Sequence, residues 1–264
     1  MAEKMNRHEK FMRRLDAVLQ KPGRSNFHTH STFCDGKDTP WELVEEAVRL
    51  GCPAIGFSGH SFSVLDGGTF GMTFEKAEAY RQCIREMQRE YADRIEIFLG
   101  VEQDFYSDTP ENEYEYVIGS VHYLRRGDEY AHVDGSRKQF EEHAARYYGG
   151  DYYAFAEDYY ATVAQVYEKT KCDIIGHFDL ITKFNEGNAL FDTNHPRYRA
   201  AAEKALDVLL DAPIIFEQNY GAIARGYRTQ PYLEDWMLER IRAKGKLVLK
   251  TSDCHAKEKL LFGL

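Results

Sequence analysis

Short apolar runs alternate along this chain with longer stretches whose apolar residues recur every three or four positions. That alternation is the pattern of strands and helices taking turns in a parallel α/β protein. Seven runs read as strands, at 26–31, 54–58, 95–101, 116–121, 173–176, 213–216 and 247–251. The clearest helix starts at Thr39-Pro40-Trp41-Glu42, where Thr39 caps, Pro40 suits the first helical position and Glu42 completes a capping box; it runs to Leu50 and stops at Gly51. Further helices are predicted over about 74–91, 151–169, 197–210 and 233–244, and four long loops near 61–72, 124–136, 182–196 and 219–231 are expected to wall a pocket. Near the N-terminus Met5, Met12, Leu15, Val18 and Leu19 fall at helical spacing before Pro22-Gly23, which predicts a peripheral helix. Only 9 residues follow His255, too few for a closing helix, so this first helix is expected to fill that place beside the first and last strands.

The length changes the picture by favouring one large domain, although length alone permits two small ones as well. A chain of 264 residues matches an α/β barrel, which needs about 250, with residues 1–24 set apart as a helical extension and 25–264 forming the barrel. A net charge of −9 without any Lys/Arg-dense run argues against a nucleic-acid surface. No signal-like or membrane-length apolar stretch occurs, so neither secretion nor a membrane partner is expected. Five cysteines, an odd number with no C-x-x-C pair, read as reduced thiols of a cytoplasmic protein.

The chemistry sits at strand ends. His28-Thr29-His30 and Asp253-Cys254-His255 each place two ligand-type residues two apart, so each pair projects to one face of an extended chain. Either pair alone is a weak signal. His60, Glu102, His122 and His177, however, each follow directly on a predicted strand. In a parallel barrel all strand C-termini meet at one face, and residues far apart in sequence converge there. Asp35 joins them, although its place before Gly36 is also a common turn signal. Six histidines and three carboxylates suffice for three divalent ions, and mixed imidazole and carboxylate donors suit Zn, Mn or Fe. With one bound hydroxide the cluster keeps a charge of about plus two, facing a phosphate dianion, and a metal-bound water of pKa about 7 is suited to attack phosphorus in line. Arg225 and Arg228 flank Gly226-Tyr227 beyond the sixth strand, where guanidinium forks suit phosphate oxygens as well as they suit solvent; Lys183 is a weaker instance. Glu217-Gln218-Asn219 ends the sixth strand with polar groups suited to support the site or touch substrate. His8, His132, His143 and His195 lie off the strand ends and read as surface or capping residues, and Cys254 as a packed thiol.

Seven motifs occur in order: F-H-T-H-S-x-x-C-D-G, G-F-S-G-H, G-x-E-Q-D, G-S-V-H-Y, G-H-F-D-L, E-x-N-x-G-A-I-x-R-G-Y-R and S-D-x-H. Together, from Phe27 to Gly263, they closely resemble the polymerase and histidinol phosphatase (PHP) family, particularly its monofunctional histidinol-phosphatase branch. The resemblance implies a distorted (β/α)7 barrel, TIM-barrel-like, with a trinuclear metal site that hydrolyses L-histidinol phosphate to L-histidinol and phosphate in histidine biosynthesis. It implies that His28 and His30 hold a first metal with Asp253, that Glu102 bridges to a second held by His122 and His177, and that Asp35, His60 and His255 form the third site. His28, His30, Glu102, Asp253 and His255 are then the catalytic set. Arg225, Arg228, Lys183, Glu217, Asn219 and Tyr220 are expected around a small phosphorylated metabolite, Tyr220 standing where a small residue is usual after E-x-N. The resemblance also admits another PHP phosphoesterase, a short-oligonucleotide nuclease or a phosphotyrosine phosphatase, and a catalytically silent binding barrel. A basic groove would mark the nuclease, and the complete ligand set speaks against the silent barrel.

Overall fold

The computed structural model describes residues 5–63, 65, 70–108 and 111–264. Among them the elements run α1 (Arg7–Leu19), α2 (Pro40–Arg49), β1 (Ala54–Phe57), α3 (Phe74–Glu90), β2 (Glu96–Asp104), β3 (Tyr116–Ser120), β4 (Tyr123–Arg126), β5 (Glu129–His132), α4 (Arg137–Tyr148), α5 (Tyr152–Val163), α6 (Val166–Thr170), β6 (Ile174–Ile175), α7 (Pro196–Leu210), β7 (Ile215–Asn219), α8 (Gly221–Ala224), α9 (Asp235–Ala243) and β8 (Val248–Thr251). No helix among the described residues is long and apolar enough to cross a membrane. Contacts divide the chain into two compact units, one of Met1–Gln103, Ser107–Ile118 and Lys250–Leu264, the other of Asp104–Tyr106 and Gly119–Leu249.

In the first unit β1 and β2 run parallel, with Ala54 opposite Glu96 and Phe57 opposite Leu99, and Glu115 ahead of β3 donates its N–H to the Leu99 carbonyl at 2.7 Å. The expected strand at 26–31 is not continuous. Asn26 bridges to Ile55 and Thr29 to Cys254, because the Asn26 amide turns back on its own chain, donating to the His28 carbonyl at 3.0 Å and accepting the His28 N–H at 3.2 Å. Helix α2 keeps its predicted capping box. Helix α1 buries Phe11, Leu15 and Val18 and leaves Leu19 44% exposed, so its apolar stripe is turned from the predicted one. The Phe11 ring stacks on Tyr116 at 5.0 Å and meets Phe27 and Phe98 edge-on at 6.4 and 6.1 Å. Arg14 adds ion pairs to Glu96 and Glu115 at 3.0 and 2.8 Å. The helix therefore packs against Phe27, β2 and the start of β3. The end of the chain covers itself: Leu260 is buried after a single 3-10 turn, and its carbonyl accepts the Ser252 hydroxyl at 2.9 Å. Tyr116 fixes this core through its hydroxyl, which donates to the Phe27 and Phe57 carbonyls at 2.7 and 3.1 Å. A Cβ at Gly100 would lie 2.3 Å from the Tyr116 ring, so only glycine admits it.

In the second unit β6 and β7 run parallel, Ile174 opposite Ile215, and Gly176 donates to the Gly119 carbonyl at 3.0 Å on one side while Phe216 donates to Leu247 at 3.1 Å on the other. Helices α5 and α7 pack through Tyr160 and Tyr198, whose hydroxyls lie 2.8 Å apart in a core with Phe140, Phe155 and Phe178. The expected helix at 151–169 breaks into α5 and α6 between Val163 and Val166. The expected loop at 124–136 is instead the antiparallel hairpin β4–β5, turned by Gly127 at φ 68°, followed by α4. Its signals were present: a Ser136 to Gln139 capping box and a left-handed Gly149. Of the expected loop at 61–72, residues 64 and 66–69 lie outside the described residues.

Phe11→Ala removes the ring that joins α1 to the first unit. It should lower unfolding stability by about 3–5 kcal/mol in urea titration, and a loss below about 1 kcal/mol would show that α1 is peripheral to the core.

Candidate metal centre

Backbone pairing in the first unit sets two distant segments side by side. His30 N–H donates to the Cys254 carbonyl at 2.8 Å and Cys254 N–H to the His28 carbonyl at 2.9 Å. The residues flanking Thr29 and Cys254 thus project to one side, as alternation in extended chain requires. The Asn26 amide ties the pair together, donating to Thr29 Oγ1 at 3.0 Å and Ser252 Oγ at 2.8 Å and accepting the Ser252 N–H at 3.2 Å. Asp253 takes φ 48°, a left-handed conformation that a non-glycine residue holds at a cost and that often marks a functional position. Glu102 comes from β2, and His60 bridges to it beyond β1. Asp35 arrives on a tight turn in which Cys34 and Gly36 both donate to the Ser31 carbonyl, at 3.0 and 3.1 Å. A Cβ on Gly36 would lie 2.5 Å from Ser31 N, so the Asp-Gly pair is both a turn and the means of presenting Asp35.

The donor atoms converge. His28 Nε2 lies 3.2 Å from Glu102 Oε2 and 3.6 Å from Asp253 Oδ1, and His30 Nε2 lies 3.5 and 3.2 Å from the same two atoms. Ligands about 2.0–2.2 Å from a tetrahedral ion stand about 3.3–3.6 Å apart, so this spacing fits a divalent cation. His30 Nε2 is buried and makes no well-formed hydrogen bond among the described residues, which a metal bond would remedy. A second group gathers around Asp35. His60 Nε2 is 3.7 Å from Asp35 Oδ1 and His255 Nε2 is 3.3 Å from Oδ2, with the His30 ring 4.2 and 4.1 Å from those of His60 and His255. His255 Nδ1 lies 2.9 Å from the Asp253 carbonyl, a contact that directs Nε2 toward Asp35.

Electrostatics prepare these groups for a cation. Burial, with His255 and His60 alongside, lowers the His30 pKa to about 3, so its ring is neutral with a lone pair to give. Burial works to raise Asp35, but His60, His255 and His30 together hold it well below the usual carboxylate range. Ligation at neutral pH therefore displaces no proton from either. Burial pushes the Cys34 and Cys254 thiols up to about 12, leaving them inert as ligands, and all five cysteines are free thiols.

In the second unit His122 and His177 are neighbours, their ring centres 5.1 Å apart. Asp104 Oδ2 accepts the His122 N–H at 3.0 Å and lies 3.2 Å from Nδ1, which fixes the ring and leaves Nε2 to face outward from that contact. Glu217 is wholly buried; its Oε1 accepts the His177 N–H at 2.6 Å and the Asn219 amide at 2.9 Å, and Asn219 in turn accepts the Gly221 N–H at 2.8 Å. Those contacts make Glu217 and Asn219 props for His177 and for the start of α8. Lys183 is buried, donating to the Asp134 carbonyl at 2.5 Å with Nζ 4.8 Å from the Tyr227 ring centre. Arg228 donates to the Thr182 hydroxyl and lies over Tyr232 at 5.0 Å. Arg225 is exposed at the end of α8, and Tyr220, half-buried, precedes that helix.

Residues 26–220 match the PHP domain. The chain belongs to the PHP family. It is 31% identical over 172 residues to a Deinococcus radiodurans protein provisionally named histidinol-phosphatase, covering 61% of this chain and 63%, less than two thirds, of that relative. With the histidinol-phosphatase of Bacillus subtilis it shares 26% identity over 254 residues, 86% of this chain and 92% of the other. A Listeria monocytogenes structure provisionally named histidinol phosphatase hisK superposes with a TM-score of 0.80 at 19% identity, covering 91% of this chain and 98% of that one. The histidinol phosphate phosphatase of Lactococcus lactis, complexed with zinc, L-histidinol and phosphate, superposes with a TM-score of 0.60 at 20% identity over 89% and 87%. At these identities the structural likeness establishes the PHP fold.

Seven of the nine ligands expected of a PHP site, His28, His30, Asp35, His60, Glu102, Asp253 and His255, gather in the first unit, and His122 and His177 pair in the second. Asn26, Ser58 and Asp104 were missed as supports. Ser58 Oγ accepts the Thr29 N–H at 3.0 Å. Asp104 had a signal, since it alternates with Glu102 on β2. Asn26→Ala should free the 28–30 segment from Ser252 and weaken metal affinity about 10–100-fold in chelator competition; unchanged affinity would show that backbone pairing alone holds the ligands.

Proposed function

We propose that this PHP protein is a cytoplasmic, metal-dependent histidinol-phosphatase that hydrolyses L-histidinol phosphate to L-histidinol and phosphate in histidine biosynthesis. The observation that carries the reading is the convergence of His28, His30, Glu102 and Asp253 donor atoms at 3.2–3.6 Å in a buried setting. The similarity to the Bacillus subtilis enzyme, over 86% of this chain and 92% of that one, supports the substrate, and the zinc, L-histidinol and phosphate of the Lactococcus lactis relative support both ligand and metal class. The proposed architecture is the family's distorted (β/α)7 barrel.

In this reading His28, His30 and Asp253, then Asp35, His60 and His255, and then His122 and His177 would hold divalent ions, three in all, of Zn, Mn or Fe, with Glu102 as a further carboxylate ligand. Such ions supply a water activated to a pKa of about 7 and positive charge against the phosphate. The chain does the placing. Glu102, with Oε2 facing His28, His30 and His60 Nδ1 at 3.2, 3.5 and 2.9 Å, fixes the spacing of the donors. Asp104 and Glu217 hold His122 and His177 in register. Arg225, Arg228 and Lys183 supply cationic side chains for the phosphate and Tyr220 shapes the pocket beside them, while water adds to phosphorus and the phosphorus–alkoxide bond breaks, the alkoxide taking up a proton to give the alcohol. A net charge of −9 disfavours the nuclease alternative.

Stripping the protein with chelator should abolish release of phosphate from L-histidinol phosphate, and added Zn, Mn or Fe should restore it; His28→Ala should lower kcat more than about 100-fold with the fold retained by circular dichroism. Full activity in metal-free protein would overturn the reading. His122→Ala should reduce bound metal by one equivalent, measured by mass spectrometry, and an unchanged metal count would remove the second unit's histidines from the site.

A further inference from the structure

Leu19, Leu50 and Val208 are exposed apolar residues far apart in sequence, whereas Phe62, Phe70 and Phe74 follow His60 within fourteen residues and two of their rings meet. Phe70 is 50% and Phe74 64% exposed, and the Phe62 and Phe74 rings lie 4.9 Å apart at 37°. Backbone contacts tie this patch to the ligand. Ser61 N–H donates to the Glu102 carbonyl at 2.8 Å and His60 bridges to Glu102, so the chain just ahead of Phe62 is held beside β2. Phe62 follows His60 by two residues, and its ring meets that of Phe74. Met72 N–H donates to the His60 carbonyl at 3.0 Å and pins the arm that carries Phe70 and leads into α3 at Phe74.

Large aromatic rings left in water give up the burial that normally places phenylalanine inside, and an apolar cluster beside a polar site is a mark of ligand contact. Two residues of chain span at most about 7 Å, comparable with the stretch of histidinol phosphate between its phosphate and its ring. A phosphate held at the metal centre would bring a flat imidazole within reach of these rings, where stacking and, for the protonated ring, cation–π attraction are both available.

We propose that Phe62 and Phe74 form a stacking platform for the imidazole ring of the substrate and so act as specificity-determining residues, an inference that rests on the histidinol-phosphatase reading. The patch would then distinguish an imidazole-bearing amino-alcohol phosphate from one without a ring, while the metal ligands treat both alike.

The test compares histidinol phosphate with serinol phosphate, which keeps the amino alcohol and the phosphate but lacks the ring, using Phe62→Leu and Phe74→Leu holoenzyme. Each variant should raise KM for histidinol phosphate, and the inhibition constant of L-histidinol, by about 3- to 10-fold, with kcat/KM for serinol phosphate and the metal content unchanged. Equal losses on both substrates, or no loss on either, would overturn the platform. A dimer in sedimentation that Phe74→Leu dissolves without moving KM would overturn it too, assigning the patch to a second copy of the chain. Wild-type protein that turns over serinol phosphate but not histidinol phosphate would instead refute the reading of the function beneath it.

Discussion

The candidate centre depends on one short stretch of backbone pairing, between Thr29 near one end of the chain and Cys254 near the other. Two hydrogen bonds and the Asn26 amide bind segments 226 residues apart, and the alternation of extended chain then turns His28 and His30 toward Asp253. Closing so long a loop is entropically unfavourable, and a few hydrogen bonds worth about 1 kcal/mol each do not offset it alone. The apolar core around Phe11, Phe27, Phe98 and Tyr116 does the rest, with Tyr116 bonded directly to the carbonyl of Phe27, next to His28. Core and site are therefore one piece of architecture in the first unit.

The same packing creates an electrostatic demand. Imidazoles and carboxylates brought within 3–4 Å of one another in a buried space lose solvation that their mutual contacts only partly return. A divalent cation meets that demand, because it satisfies lone pairs facing each other and neutralises the acids. Asp253 at φ 48° and the glycine-dependent turn under Asp35 show local backbone comfort given up for the placement of ligands. Stability lost at the centre is recovered in the aromatic cores of the two units, and this explains how a site so rich in buried polar atoms persists without threatening the fold.

The supports divide between the units in a consistent way. In the first, Asn26 and Ser58 hold the backbone on which His28 and His30 sit; in the second, Asp104 and Glu217 hold His122 and His177 by their own N–H groups. Each histidine pair thus has polar partners that spend hydrogen bonds on its position.

Much of this was legible from sequence, because strand-end ligands two residues apart and short apolar runs are local features. The H-x-H and D-x-H pairs, six of the seven strands and the α2 capping box needed only near neighbours to be read. What escaped depended on distant partners. The 26–31 segment lost its ladder to bonds with Ile55 and Cys254, α1 turned its stripe to meet Phe27, Phe98 and Tyr116, and Glu217 became a prop for His177. Which residues are candidates for the chemistry was thus decided by spacing along the chain. How they face one another was decided by tertiary structure, since the distance between His30 and Asp253 is set by the packing of everything that lies between them.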